Sequence, residues 1–367
     1  MYPSFIVEYG VAPHHLSKQV FVGIVKWLRE TRVEAKHTGR KLEADALKIV
    51  INRIYGALND AMDYLYDPEC TYTVTINLQL LLCGLIEAFE LNNFDVLSAN
   101  TDGLLVRLPL NRQGVFKHIC NEWSAYSKLD LETEKFEKYC RSAVNDYIAV
   151  GYGFYDALQE YNRCGVWIDS KGNTYTTRQA IEDKFIKFKG YFLQDPEYNK
   201  GFVYPVVKKA LKEYFLYGVD ITEFIRNYIN TSRTAIYDYC FSQKVAGKYT
   251  TIYKTVRGGK PVYIKCQKHN RFYICKSGGG AITKAIVPDS DNIAYGDDIS
   301  GIVVEEEKSL VANQRVALFN DYEYKEDYNL NYGFYINEAY KILYGNGKTG
   351  KGERRGINNN SNNLFGW

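Results

Sequence analysis

Two strand-like runs, residues 94–99 and 104–108, are separated by only Asn100-Thr101-Asp102-Gly103. No other feature constrains the fold as much. So short a connection, ending in glycine, returns the chain alongside itself, so the runs must pair as an antiparallel hairpin. One carboxylate, Asp102, then stands at the turn. The preceding apolar segment, residues 74–91, is too long for a strand and reads as a helix. A helix leading into an antiparallel hairpin begins an α+β architecture.

Helical periodicity dominates the first sixty or so residues. Residues 16–36 carry Val20, Ile24, Trp27 and Leu28 at helical spacing, and His37-Thr38-Gly39-Arg40 breaks the pattern. A second helix over residues 44–60 completes a helical hairpin. The third, residues 74–91, is apolar nearly all round (Leu78, Leu80, Leu81, Leu82, Leu85, Ile86, Phe89) and is expected to be buried. Further on, the pattern predicts a helix over 111–127, a strand over 144–152 and helical structure over 203–239. Strands follow over 249–275, turning at Arg257-Gly258-Gly259-Lys260. Residues 345–363 are rich in Gly, Asn and Lys and read as a disordered tail.

With 367 residues, 46% of them hydrophobic and 24% charged, the chain can hold two or three globular cores. No run of 18 apolar residues occurs, so no membrane span is expected. Met1-Tyr2-Pro3-Ser4-Phe5 lacks the basic and apolar regions of a secretory signal, which leads to the expectation of a cytoplasmic protein. The 8 cysteines are scattered without a C-x-x-C pair, which favours reduced, buried thiols over a zinc site. The net charge of +3 conceals a segregation. Residues 181–277 hold 18 Lys/Arg against 8 Asp/Glu, a net of +10, whereas residues 278–330 hold 4 against 11, a net of −7. So long a basic block suggests a surface that tracks phosphates; the alternative is a solvated basic face. The 33 tyrosines can fill a core, but can also stack on sugars and bases. The acidic run Glu305-Glu306-Glu307 reads as a solvated face.

The second helix carries the clearest chemistry. Lys48, Asn52 and Tyr55 fall at i, i+4 and i+7 and share a face, with Gly56 beside them. A cation, an amide and an aromatic ring next to a residue without a side chain suit an incoming nucleotide. Arg32 and Lys36, again at i and i+4, add two cations from the preceding helix. Together they would form an electrostatic clamp for a transferring phosphoryl group. Taken alone, Arg32 and Lys36 would read as ordinary surface charges.

In combination these residues resemble family B DNA polymerases. Lys48-x3-Asn52-x2-Tyr55-Gly56 is similar to the family's K-x3-N-S-x-Y-G motif on a fingers helix. Asn100-Thr101-Asp102-Gly103 resembles its D-T-D-S/G motif, in the family's order. Met1-Tyr2-Pro3-Ser4 resembles the end of its first palm motif, D-x-x-S-L-Y-P-S. Asn145-Asp146-Tyr147 falls where the family has K-x-Y, and Lys187-Phe188-Lys189-Gly190 resembles its K-x-K-G segment. Gln243-Lys244-Val245 and Asn270-Arg271-Phe272-Tyr273 look like thumb segments of phage-type members. The likeness covers residues 1–344, more weakly in the thumb.

The resemblance implies a polymerase right hand: a palm segment at 1–15, fingers at 16–62, palm at 63–192 and thumb at 193–344, with a tail at 345–367. It implies DNA-directed DNA polymerase activity with two Mg²⁺ ions. Asp102 would be the metal ligand, and Tyr2, Arg32, Lys36, Lys48, Asn52, Tyr55 and Gly56 would contact the dNTP, with Tyr2 excluding a 2′-hydroxyl. Thr101, Tyr147, Lys187, Lys189, Lys244 and Arg271 would contact primer–template DNA. Glu132 or Glu134 lies near a further acidic position of some members; a surface carboxylate is the alternative for each. The cellular location implied is the cytoplasm, that of the host for a phage protein.

The chain also departs from the pattern. The metal-binding Asp of the first palm motif would precede Met1, so the resemblance implies an upstream polymerase and exonuclease segment, or a separate subunit, that supplies it. The isolated chain would then be inactive, and a non-catalytic DNA-binding remnant is the alternative. Asn100 replaces the motif's first Asp, Asn145 replaces Lys in K-x-Y, and Arg53 replaces Ser, where it would be an able phosphate or template contact. The interval from Gly56 to Asp102 leaves no room for the insertion of protein-primed members.

Overall fold

The computed structural model describes residues 1–100, 103–143, 146–190, 204–245 and 247–344. The fold is mixed, with helices packed on antiparallel sheets, which is the α+β class expected. The chain divides into two compact units, Met1–Glu134 and Lys135–Trp367.

In the first unit, α1 (Tyr2–Tyr9) has proline in its first turn, where a missing N–H costs nothing, and ends at Gly10 in the left-handed region. Helix α2 (Lys18–His37) buries Phe21, Val25, Leu28 and Ala35. Val20, Ile24 and Trp27 point outward and are half exposed or more. Gly39, at φ +75°, lets the chain reverse into α3 (Lys41–Ala57). Arg40 clasps this joint through Glu43 at 2.8 Å and Glu34 at 3.1 Å.

Helix α4 (Pro68–Leu91) starts on Asp67, whose carboxylate accepts the Cys70 N–H at 2.9 Å. The expectation that this helix is buried all round is corrected. Val74, Leu78, Leu82, Leu85 and Phe89 form the buried face, while Ile76, Leu80 and Leu91 are more than half exposed. Among the described residues, α1, the strand at Asp95–Asn100 and α5 (Gln113–Ser127) pack on it, and the Trp123 indole N–H of α5 donates to the Leu81 carbonyl at 2.7 Å. By length and composition, α4 could cross a membrane, a test that core helices also pass. Between α4 and α5 lie β1 (Asp95–Asn100) and β2 (Gly103–Arg107), paired antiparallel up to Asn100 opposite Gly103, as the short turn required.

The second unit opens with β3 (Phe136–Ala143) and β4 (Asp146–Gly151), then α6 (Phe154–Cys164). The short pair β5 (Trp167–Ile168) and β6 (Thr174–Tyr175) precedes α7 (Arg178–Phe185) and β7 (Ile186–Lys189). Helices α8 (Pro205–Tyr217), α9 (Ile221–Asn227) and α10 (Ile236–Tyr239) break the span read as helical into three pieces, with Gly218 left-handed at the first break. Then come β8 (Cys240–Lys244), β9 (Thr250–Arg257), β10 (Lys260–Cys266), β11 (His269–Cys275), β12 (Ala281–Ile286), β13 (Glu305–Ser309), β14 (Arg315–Leu318) and α11 (Tyr332–Tyr344). The strands form three antiparallel sheets besides the β5–β6 pair, in the orders β3-β4-β7, β14-β11-β8 and β10-β9-β12-β13. The tight hairpin at Gly258 and Gly259, both at positive φ, lies where the sequence put it.

Tyrosine builds much of this unit's core. Tyr335 is fully buried; its hydroxyl donates to the Tyr239 carbonyl at 2.8 Å and accepts the Ile274 N–H at 2.9 Å. Such bonds remove the cost of burying a phenol. Glu182, 2% exposed, is held ionised below the usual carboxylate range. Burial alone would raise its pKa, but Lys212, Tyr217 and Arg178 outweigh that. Of the 8 cysteines, Cys70, Cys140, Cys240, Cys266 and Cys275 are buried free thiols, whereas Cys83 and Cys164 are exposed.

Candidate nucleotide site and nucleic-acid interface

All seven residues read as nucleotide-directed lie in the first unit. The three-residue joint between α2 and α3 makes them an antiparallel pair. Arg32 precedes Gly39 by seven residues and Lys48 follows it by nine, so they sit at nearly the same height, offset by roughly 3 Å along the axes. Arg32 continues the inward stripe Phe21–Val25–Leu28, and its Nε is buried with no hydrogen-bond partner among the described residues. A buried guanidinium N–H left open is costly unless something polar joins it. Lys48 and Asn52 are exposed along the edge of the buried stripe of α3. Lys36 lies 4.0 Å from Glu132, both largely in solvent, so this pair restrains neither. Glu132 and Glu134 are exposed.

Tyr2 and Tyr55, 53 positions apart in the sequence, are brought face to face with ring centroids at 4.1 Å and planes 3° apart. Tyr2 opens α1 and Tyr55 lies in the last turn of α3, and the packing of α1 on α3 joins them. Partial burial raises the pKa of the Tyr55 phenol, so it stays neutral. Gly56, next to it, is exposed, and a Cβ there would meet no described atom within 4 Å. Glycine inside a helix costs about 1 kcal/mol relative to alanine, and nothing within the described structure requires it. By contrast, a Cβ on Gly280 would meet the Lys254 carbonyl oxygen at 2.1 Å, so packing alone accounts for glycine there.

Arg53, read as a phosphate or template contact, has carboxylate partners within the first unit. Its guanidinium is bonded to Asp60 at 3.1 Å and Asp63 at 2.9 Å, so it ties the end of α3 to the loop leading to α4. Sequence reasoning missed this because both carboxylates lie beyond the helix, where spacing rules do not reach. It also missed the His14–Asp67 pair that anchors the same loop, in which the His14 N–H and ring Nδ1 each lie 2.8 Å from the carboxylate.

Thr101, Asp102 and Asn145 lie outside the described residues. Among the described residues no group of three or more His, Cys, Asp or Glu could hold a metal ion.

The second unit sorts the residues read as DNA-directed onto two sheets. Tyr147 of β4 pairs with Lys189 of β7, and Ala149 pairs with Lys187. Directly paired residues share a sheet face, so Tyr147, Lys187 and Lys189 stand together. The opposite face is the core, with Cys140, Ile148, Val150 and Ile186 buried. Lys244 and Arg271 share one face of the β8–β11 pair, since Lys244 lies opposite His269 and Ser242 opposite Arg271. The Arg271 guanidinium sits 4.9 Å from the centre of the Tyr237 ring.

The basic block is partly neutralised by carboxylates inside it and just before it. Lys209 pairs with Asp238 at 2.7 Å, and Lys184 pairs with Asp169. The acidic run is a solvated face, as read, and it also supplies partners to the basic block. Strand β13 brings Glu306 to Lys248 at 2.9 Å and to the Tyr249 hydroxyl at 2.6 Å, and Glu307 to Lys254 at 2.6 Å.

No protein-family model and no curated protein matches the chain. Among solved structures it is similar to the family B DNA polymerase from the hyperthermophilic archaeon Pyrobaculum calidifontis, with 13% identity and a TM-score of 0.46. The match covers 95% of this chain and 44% of that one.

Proposed function

We propose that the chain is the fingers, palm and thumb portion of a DNA-directed DNA polymerase, transferring dNMP from dNTP to a primer 3′-hydroxyl. The observation that supports this reading best is the Tyr2–Tyr55 stack, because it joins the remnant of one motif to the middle of another. Under it, Arg32, Lys36, Lys48 and Asn52 hold the triphosphate. Tyr55 packs on the nascent base pair, and Tyr2 lies beneath the sugar. Open space at Gly56 admits the substrate close to the helix.

Asp102 is the proposed Mg²⁺ ligand, and it needs at least one further carboxylate from an upstream segment or a separate subunit. Two such ions, when bound, would stabilise the attacking and leaving oxygens. The test is primer extension with the upstream segment supplied. Asp102→Asn is expected to abolish extension while leaving affinity for primer–template DNA within about twofold. Extension by the variant near the parental rate would remove Asp102 from the mechanism.

A further inference from the structure

The solvent face of the β3-β4-β7 sheet holds more than the residues its motifs bring there. Arg141 of β3 lies directly opposite Tyr147, and Tyr139 opposite Ala149, so both project on the same side as Lys187 and Lys189. The Tyr139 and Tyr147 rings are stacked at 5.0 Å with planes 27° apart. Phe136 lies 5.8 Å from Tyr139, displaced onto this side by a register shift between Phe136 and Lys138. Lys187 Nζ is 5.8 Å from the Phe136 ring centre and Lys189 Nζ 6.0 Å from that of Tyr147.

The acidic residues of these strands, Asp146 and Glu137, are engaged elsewhere. Asp146 lies one position along β4 from Tyr147, on the other face, where its charge supports that of Lys208. Glu137 is engaged by the Gly153 N–H at 2.7 Å. The face therefore alternates cations with flat rings and, at its paired positions among the described residues, shows no carboxylate. That is the composition of a surface along which a polynucleotide backbone runs.

We infer that β3 extends the interface for a DNA strand, with Arg141 contacting a backbone phosphate and Tyr139 holding the Tyr147 ring in position by stacking. Arg141 is thus a binding residue and Tyr139 a positioning residue. Both go beyond the motif residues, and the inference rests on the polymerase reading for the identity of the strand.

The experiment is fluorescence anisotropy of the full chain with a labelled primer–template DNA, over a salt series. Circular dichroism checks that each variant is folded. Arg141→Gln is expected to weaken binding several-fold and to lower the slope of log affinity against log salt by about one, as loss of one phosphate contact requires. Tyr139→Ala is expected to weaken binding with the slope unchanged, and Tyr139→Phe, which keeps the stack, to restore it. If Arg141→Gln and Tyr139→Ala bind like the parent while Lys189→Ala binds weakly, the inference fails and the polymerase reading stands. If the parent chain does not bind primer–template DNA at all, both fall.

Discussion

At the scale of single residues, the proposed nucleotide site turns on whether a charge is engaged. Arg32 has a buried N–H without a partner among the described residues, whereas the Arg53 guanidinium is already bonded to Asp60 and Asp63. That contrast sets two expectations for the cations of α3. Under the proposed function, Lys48→Ala in the reconstituted enzyme should raise the KM for dNTP and lower kcat, each by roughly tenfold, because a phosphate contact tightens as charge develops. Unchanged steady-state kinetics would make Lys48 a surface charge only. Arg53→Ser, which brings in the residue of the motif that this segment resembles, should cost about 1 kcal/mol or less in a denaturant titration, since the lost ion pairs are partly exposed. It should leave DNA affinity unchanged; a loss of affinity would return Arg53 to the template.

At the scale of elements, helix termini and their anchors decide where the motif residues sit. Asp67 caps α4 and also receives His14, so one carboxylate joins the chain before α2 to the start of the central helix. Burial alone would push its pKa up, but bonds from the Cys70 and His14 N–H groups and the His14 ring hold it at about 2. The His14 ring is correspondingly raised by its bond to Asp67 and by that charge. The Asp67 contribution is present above its unfolded value of about 4 and is lost as pH falls through about 2. The His14 contribution is present below its unfolded value of about 6.5 and is lost as pH rises through the higher folded value. The loss in melting temperature caused by His14→Ala should therefore be largest between roughly pH 4 and 6.5 and shrink on both sides. A pH-independent difference would show that the pair carries no charge interaction. Asp67→Ala should cost a further ~1 kcal/mol through the cap.

At the scale of the whole molecule, the segregated charge of the sequence is folded back on itself. The acidic segment supplies β13, whose Glu306 and Glu307 engage Lys248 and Lys254 of the basic block. Replacing both glutamates with glutamine should free two cations. DNA affinity should then rise and its salt slope steepen by up to about two. An unchanged slope would place Lys248 and Lys254 away from the nucleic acid. Sequence reaches as far as contacts between near neighbours do. Amphipathic period, the glycine breaks and the short turn determined α2, α3, the β1–β2 hairpin and the Gly258–Gly259 turn, because each depends on contacts a few residues apart. The order of the motifs determined the proposed family and most of the candidate site residues. Strand β3 was not legible, because its alternation of buried and exposed positions is interrupted by register shifts near both ends. Only the tertiary structure decided that Tyr2 lies on Tyr55, that Arg141 and Tyr139 share a face with Tyr147, that Arg53 is engaged, and that one side of α4 stays open. Each of these depends on which surfaces meet across tens of residues, or beyond the end of a helix, and no local period or propensity encodes that.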